Sequence, residues 1–73
     1  IRALRATSQK VLLSYNLPTA SDVIINVYNL QGGLVKTIKQ DSQMSSTVDF
    51  SVLSAPIIIK VITNFGTKII KLP

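Results

Sequence analysis

The chain has 73 residues and a mass of 7.9 kDa, enough for one hydrophobic core and too little for two. Apolar residues make up 47% and charged residues 15%, which excludes a disordered tail, since such tails combine low hydrophobicity with high charge. Cys, His, Glu and Trp are absent, and apolar runs such as Ile57-Ile58-Ile59 fall far below the ~18 residues of a spanning helix, so disulfides, thiolate or imidazole metal sites, much enzyme chemistry and a transmembrane helix are excluded at the outset.

The opening residues, Ile1-Arg2-Ala3-Leu4-Arg5, carry neither an initiator Met nor the apolar core of a signal peptide. The chain is therefore expected to be a fragment of something longer or the product of N-terminal removal. Residues 1–9 read as a first strand over 2–7 or as a linker remnant. From residue 10 the period is two: Val11, Leu13, Tyr15 and Leu17 alternate with Lys10, Leu12, Ser14 and Asn16, the pattern of a half-buried strand. Pro18-Thr19-Ala20-Ser21-Asp22 predicts a turn, because proline fixes φ and Ser and Asp bond back to the backbone. Val23, Ile25 and Val27 resume the alternation, while Ile24 and Tyr28 make the opposite face apolar too, so this strand is placed centrally or covered on both sides. Asn29-Leu30-Gln31-Gly32-Gly33 predicts a tight hairpin, for which glycine supplies positive φ.

Leu34, Val35 and Ile38 do not hold one phase, which predicts a bulge or an edge strand over 34–40. Residues 41–46 are polar and patternless and read as a loop. Val48, Phe50 and Val52 then point inward, with Thr47, Asp49 and Ser51 outward. Pro56 belongs at a strand start or an edge. Ile57, Ile59 and Val61 face one way and Ile58, Lys60 and Ile62 the other, Asn64-Phe65-Gly66 turns, and 67–72 forms the last strand, whose inward face lies either at Ile69 or at Ile70 and Leu72. No helical period occurs anywhere. The expected fold is a single all-β domain over 1–73, a small immunoglobulin-like antiparallel β-sandwich of six to seven strands.

Eight Lys and Arg against three Asp give a net charge of +5, which favours anionic surfaces in a salt-dependent way. The bases are scattered at Arg2, Arg5, Lys10, Lys36, Lys39, Lys60, Lys68 and Lys71, and the only aromatics are Tyr15, Tyr28, Phe50 and Phe65. Nucleic-acid binders combine a basic stripe with stacking aromatics, so a nucleic-acid partner is not expected. Asp22 and Asp41 fall in turn or loop contexts and Asp49 on an outward face, without the facing pair that glycoside cleavage needs or the spacing of a Ca²⁺ loop. Gly32-Gly33 lacks the Lys-Ser/Thr of a phosphate loop. The chain is expected to be no enzyme, with no catalytic, metal or cofactor-binding residue.

Tyr15-Asn16-Leu17-Pro18, Asp22-Val23, and Val27-Tyr28-Asn29-Leu30-Gln31-Gly32-Gly33-Leu34-Val35-Lys36 resemble the C-terminal sorting domain (type A) of cargo proteins of the type IX secretion system of Bacteroidetes. That family reads Y-x-L-P, then V-Y-D-L-x-G-R-L-V. Ser46-Thr47-Val48-Asp49-Phe50, Leu53-Ser54-Ala55-Pro56-Ile57-Ile58-Ile59-Lys60-Val61 and Lys68-Ile69-Ile70-Lys71-Leu72-Pro73 are similar to its later strands and basic, aliphatic end. The chain departs from the pattern in lacking an Asn-Pro pair before the first of these strands, in Gly33 where Arg or Lys is usual, in Ala55 for Gly and in Ile57 for Tyr. Immunoglobulin-like modules related to the flagellar hook-cap protein share much of this pattern.

The resemblance implies an address label. Upstream cargo domains would reach the periplasm, and this domain would then be read by the type IX translocon and an outer-membrane shuttle protein for export to the outer-membrane surface or the medium. A cell-surface sortase commonly removes such domains and attaches the cargo to lipopolysaccharide. Translocon recognition is expected at Gly66, Lys68, Ile69, Ile70, Lys71, Leu72 and Pro73, with a hairpin motif at Tyr28, Leu30, Gly32, Gly33 and Val35. Alternatively, Ile69, Ile70 and Leu72 only close the core and both lysines are solvated. Two other functions fit: an immunoglobulin-like spacer or adhesion module of a bacterial surface protein, and a binder of anionic glycan or lipopolysaccharide through Lys36, Lys39, Lys60, Lys68 and Lys71. Small size, apolar excess and open edges also predict a homodimer formed by edge-strand pairing or exchange.

Overall fold

A chain without helical periodicity satisfies its backbone N–H and C=O groups by pairing strands. The computed structural model describes residues 1–52 and 56–73, so the Leu53-Ser54-Ala55 part of the resemblance lies outside the described residues. Five antiparallel strands form one sheet: β1 (Arg2–Thr7), β2 (Lys10–Asn29), β3 (Leu34–Ser51), β4 (Ile57–Thr63) and β5 (Gly66–Leu72). The described residues contain no helix. The all-β antiparallel expectation holds, and the count of six to seven strands is corrected to five.

The correction has a physical cause. The seven extended segments expected from the sequence are all present, but two pairs of them are continuous. The turn expected at residues 18–22 lies inside β2, a strand of 20 residues, and the loop expected at 41–46 lies inside β3, a strand of 18 residues. The two run antiparallel along their whole length, and the register skips between Asn16 and Ser21 and again between Ser21 and Val23. Pro18 falls in that skipped stretch, where no partner needs its missing N–H. On the other edge of β2, β1 pairs with residues up to Ser14 and β4 with residues from Ile24 onward. The sheet thus bends between a half made of β1 with the first part of β2 and the last part of β3, and a half made of the remainder of β2 and β3 with β4 and β5.

Specific polar contacts shape the bend. Ser42 stands at φ +52°, the left-handed region that a non-glycine residue enters at a cost of about 1–2 kcal/mol. Its N–H donates to Asp22 Oδ1 at 3.0 Å. Ser21, buried, donates its hydroxyl to the Asp22 carbonyl at 2.8 Å and accepts the Asn64 N–H at 2.9 Å, tying the bend to the β4–β5 turn.

The bend lets one face close on itself. Odd-numbered residues of β2 are buried on both sides of it: Val11, Leu13, Tyr15 and Leu17, then Val23, Ile25 and Val27, in one cluster with Phe50, Ile57, Ile59 and Val61. Val48 and Val52 pack against this cluster as expected, and the open question at β5 is answered by Ile70 and Leu72 facing in while Ile69 faces out. The accessible surface of 4519 Å² is close to the ~4,400 Å² that size scaling gives a folded chain of this mass, so curling closes the sheet as fully as an ordinary domain.

The β2–β3 hairpin is set locally. In the β2–β3 connection, Gly32 N–H donates to Asn29 O at 3.1 Å, Asn29 N–H to Gly33 O at 2.9 Å, and Gly33 N–H to Asn29 Oδ1 at 2.8 Å. With Gly32 at φ +86°, this is the three-residue loop that closes on a left-handed residue. The bulge expected beyond it is present: Val27 pairs with Lys36 and Tyr28 with Leu34, leaving Val35 extra.

Tyr15 braces the curl. Its ring is buried, and its hydroxyl donates to Gln40 Oε1, joining the first half of the bent sheet to the second. Burial raises the phenol above its ordinary value of 10.0, against a smaller opposing effect of a hydrogen bond with Ser46. A raised folded value means that this contribution to stability is fully present below about pH 10 and is lost as pH climbs through the raised value.

Two outcomes follow for folding. In urea titrations, Ser42→Val should lose about 1–2 kcal/mol, whereas Ser42→Gly should stay within about 0.5 kcal/mol of the parent. Between about pH 8 and about pH 11 the parent should lose more stability than Tyr15→Phe, which has no proton to release.

Candidate functional site

Residues directly opposite in an antiparallel pair share a face, so the registers define what the outer side of the β2–β5 half presents. One row runs Lys39, Ile24, Ile62, Thr67; the next Thr37, Asn26, Lys60, Ile69; the third Leu34, Tyr28, Ile58, Lys71. Each row sets one lysine beside an aliphatic side chain. Thr37 donates to Asn26 Oδ1 at 3.0 Å. Ile24, Tyr28, Ile58, Lys60 and Ile62 are half-buried by their neighbours, whereas Ile69, Leu34, Lys39 and Lys71 are exposed, Ile69 at 59%. Among the described residues, strand contacts are confined to the paired neighbours and a small β1–β5 approach, and no other strand covers this face.

The expected recognition residues divide between two sides of the sheet. Gly66 opens β5 at φ +125° and closes the turn against Thr63. Ile70 and Leu72 belong to the core, Ile69 and Lys71 to the outer face, and Lys68 to the inner row on the edge strand, opposite Val61. The Pro73 carbonyl accepts from Arg5 Nε at 2.8 Å, which anchors the end of the chain to β1. Of the hairpin motif, Tyr28 joins the outer face, in the same row as Lys71 across β4. Leu30 and Gly32 form the exposed turn. A Cβ on Gly33 would lie 3.1 Å from the Asn29 side chain. Val35, the bulged residue, lines a cavity of about 550 Å³ together with Lys36, Asn29 and Ile57.

The register therefore unites Tyr28 with Ile69 and Lys71, far apart in sequence, and adds Ile24, Ile58, Lys60, Ile62, Leu34 and Lys39. The signal for Ile24, Ile58, Lys60 and Ile62 was their even phase on strands whose odd residues face inward, whereas Leu34 and Lys39 join the face through their pairing with Tyr28 and Ile24. None of Lys36, Lys39, Lys60, Lys68 and Lys71 has a carboxylate within ion-pair distance among the described residues; Lys10 lies 3.8 Å from Asp49 on the other half, where both are well exposed and the pair adds little. Asp22 accepts the Ser42 N–H and Asp41 directly precedes Ser42, so both stand at the bend, whereas Asp49 is beside Lys10 on the β1 half. Among the described residues no cluster of three His, Cys, Asp or Glu could hold a metal ion. No protein-family model, curated protein or solved structure matches this chain.

The division of β5 between two faces has a direct check. Ile69→Asn should change the urea-derived stability by less than about 0.5 kcal/mol, while Ile70→Asn, which removes apolar surface packed on the core, should cost about 2 kcal/mol.

Proposed function

We propose that this chain is a non-catalytic docking module, a C-terminal sorting domain of the type IX secretion kind, recognised in the periplasm by the translocon and an outer-membrane shuttle protein and carried with its cargo to the cell surface or beyond, where a sortase often removes such domains. The observation that carries the reading is the outer face. It gathers Tyr28 of the hairpin motif with Ile69 and Lys71 of the terminal strand, two of the segments that carry the family resemblance. Chemistry here is a matter of shape and adhesion: exposed aliphatics supply the area removed from water, and lysines set orientation and partner charge.

The same reading takes the curled sheet as a reduced immunoglobulin-like sandwich, with its two halves as the layers and the bends of β2 and β3 in place of connections. Pairing between two copies belongs to it as well. The free edge of β3 is open to strand addition, since β3 pairs with β2 alone, and Lys36, Lys39 and the bulges guard part of its length.

Removing residues 68–73 would be a poor test, because Ile70, Leu72 and the Arg5–Pro73 contact go with them. The better test keeps the core and alters the face. A cargo fused to the Ile69→Asn/Lys71→Gln domain should accumulate in the periplasm of a type IX-competent cell with the domain folded by protease resistance. Normal export of that fusion would refute the sorting assignment and favour a spacer, for which the outer face is indifferent.

A further inference from the structure

The side-chain charge of this molecule is split at the bend. Residues 1–22 and 41–52 carry Arg2, Arg5 and Lys10 against Asp22, Asp41 and Asp49, which cancel. Residues 23–40 and 57–73 carry Lys36, Lys39, Lys60, Lys68 and Lys71 and no acid, so the whole net charge of +5 belongs to the half built from the end of β2, the start of β3, β4 and β5. Lys39, Lys60 and Lys71 stand in three successive rows of the outer face, whereas Lys36 and Lys68 belong to the inner face at its two edges, opposite Val27 and Val61. Between the lysines lie Leu34, Tyr28, Ile24, Ile58, Ile62 and Ile69.

We propose that this face binds the surface of a bilayer rich in anionic phospholipids, with Lys39, Lys60 and Lys71 on the headgroup phosphates and Ile69, Leu34 and Tyr28 entering the boundary between headgroups and acyl chains. The inference rests on charge placement and face composition and is independent of the sorting reading. Two features select a lipid surface. A bilayer uses cationic and aliphatic groups together, since peripheral binding adds buried apolar area to attraction for anionic lipid, and this face interleaves the two in every row. A sheet face is also broad, matching a laterally continuous partner. A nucleic acid would engage the lysines and leave the aliphatics idle, and it would find one aromatic, Tyr28, on which to stack a base.

The test is vesicle co-sedimentation of the full chain with phosphatidylcholine alone and with phosphatidylcholine and phosphatidylglycerol at about 3:1. At roughly 1 kcal/mol per basic residue near such a surface, Lys39→Gln/Lys71→Gln should weaken binding to the anionic vesicles about 10- to 30-fold. The matched variant Arg2→Gln/Lys10→Gln, with the same net charge, should stay within about 3-fold of the parent. In Ile69→Trp, the emission of the single Trp should shift to the blue on addition of anionic vesicles, and far-UV circular dichroism checks that each variant is folded. Equal losses in the two double variants would reduce the effect to net charge and overturn the proposal. So would equal binding to neutral and anionic vesicles, an unshifted Trp emission in bound protein, or tighter binding to duplex DNA than to anionic vesicles. None of these results would bear on export of a fused cargo.

Discussion

The fold depends on one constraint: β2 keeps a single phase across a strand of 20 residues. From Val11 to Val27 every buried side chain is odd-numbered, including those on either side of Pro18. Were the chain to slip by one residue at the bend, the second half would turn its apolar set to the other side. With the phase kept, both halves must bury the same face. A straight sheet would leave that face to water, forfeiting about 1.5–3 kcal/mol for each of the large side chains. Curling is the response, and β3, paired with β2 throughout, must curl with it.

The bend is inexpensive because it spends few hydrogen bonds. Between Asn16 and Ser21 the β2–β3 ladder is interrupted, and Pro18 sits in the interruption with no N–H to satisfy. Ser42 absorbs the mismatch in β3 by its left-handed backbone, and its N–H is returned to the Asp22 carboxylate. Ser21, the polar residue buried beside the core, has its hydroxyl satisfied by the Asp22 carbonyl and the Asn64 N–H. Tyr15 and Gln40 then span the inside of the curve. Short polar side chains therefore do here what loops do in a fold of separate strands: they redirect the chain without exposing backbone to an apolar interior.

This explains which parts of the architecture were legible in the sequence. Period-two alternation identified the extended segments of β2, β4 and the end of β3 together with their buried side, whereas 34–40 held no single phase and 2–7 read as a strand or a linker remnant. The hairpin at Gly32-Gly33 and the bulge beyond it were legible because glycine and broken phase are local signals. What alternation could not show was continuity. Pro18, Ser21 and Asp22 are turn residues by composition, and residues 41–46 lack apolar phase because that stretch of β3 passes outside the core, where exposure removes the pattern without removing the pairing. The face of β5 stayed open because Ile69 and Ile70 are adjacent and equally apolar; only the register against Ile59 and Lys60 separates them. The candidate site was half legible for the same reason. Tyr28 and Lys71 were both singled out, but that one row holds them is a fact of pairing through β4, which composition does not encode.

The two outer faces of the same sheet solve the same problem with different chemistry. On the β1 half, Ser14 stands between Arg2 and Thr47, Asn16 opposite Ser45, Leu12 between Leu4 and Asp49, and Lys10 opposite Ser51, a surface largely of hydroxyls and amides with balanced charge. On the β4–β5 half, each row sets a lysine beside aliphatic side chains, and among the described residues no carboxylate pairs with these lysines. Each half buries its inner side equally well, so folding alone does not require the difference. Strand propensity does not require it either, since threonine would serve at the positions of Ile24, Ile62 and Ile69. Lysines placed only to keep the sheet soluble or to blunt its edges would be as useful on one half as on the other. The excess of positive charge, five lysines without an acid, falls on the half whose outer face also carries Ile24, Ile58, Ile62 and Ile69, and this coupling of charge to apolar area is what an amphipathic partner, rather than the fold, can use.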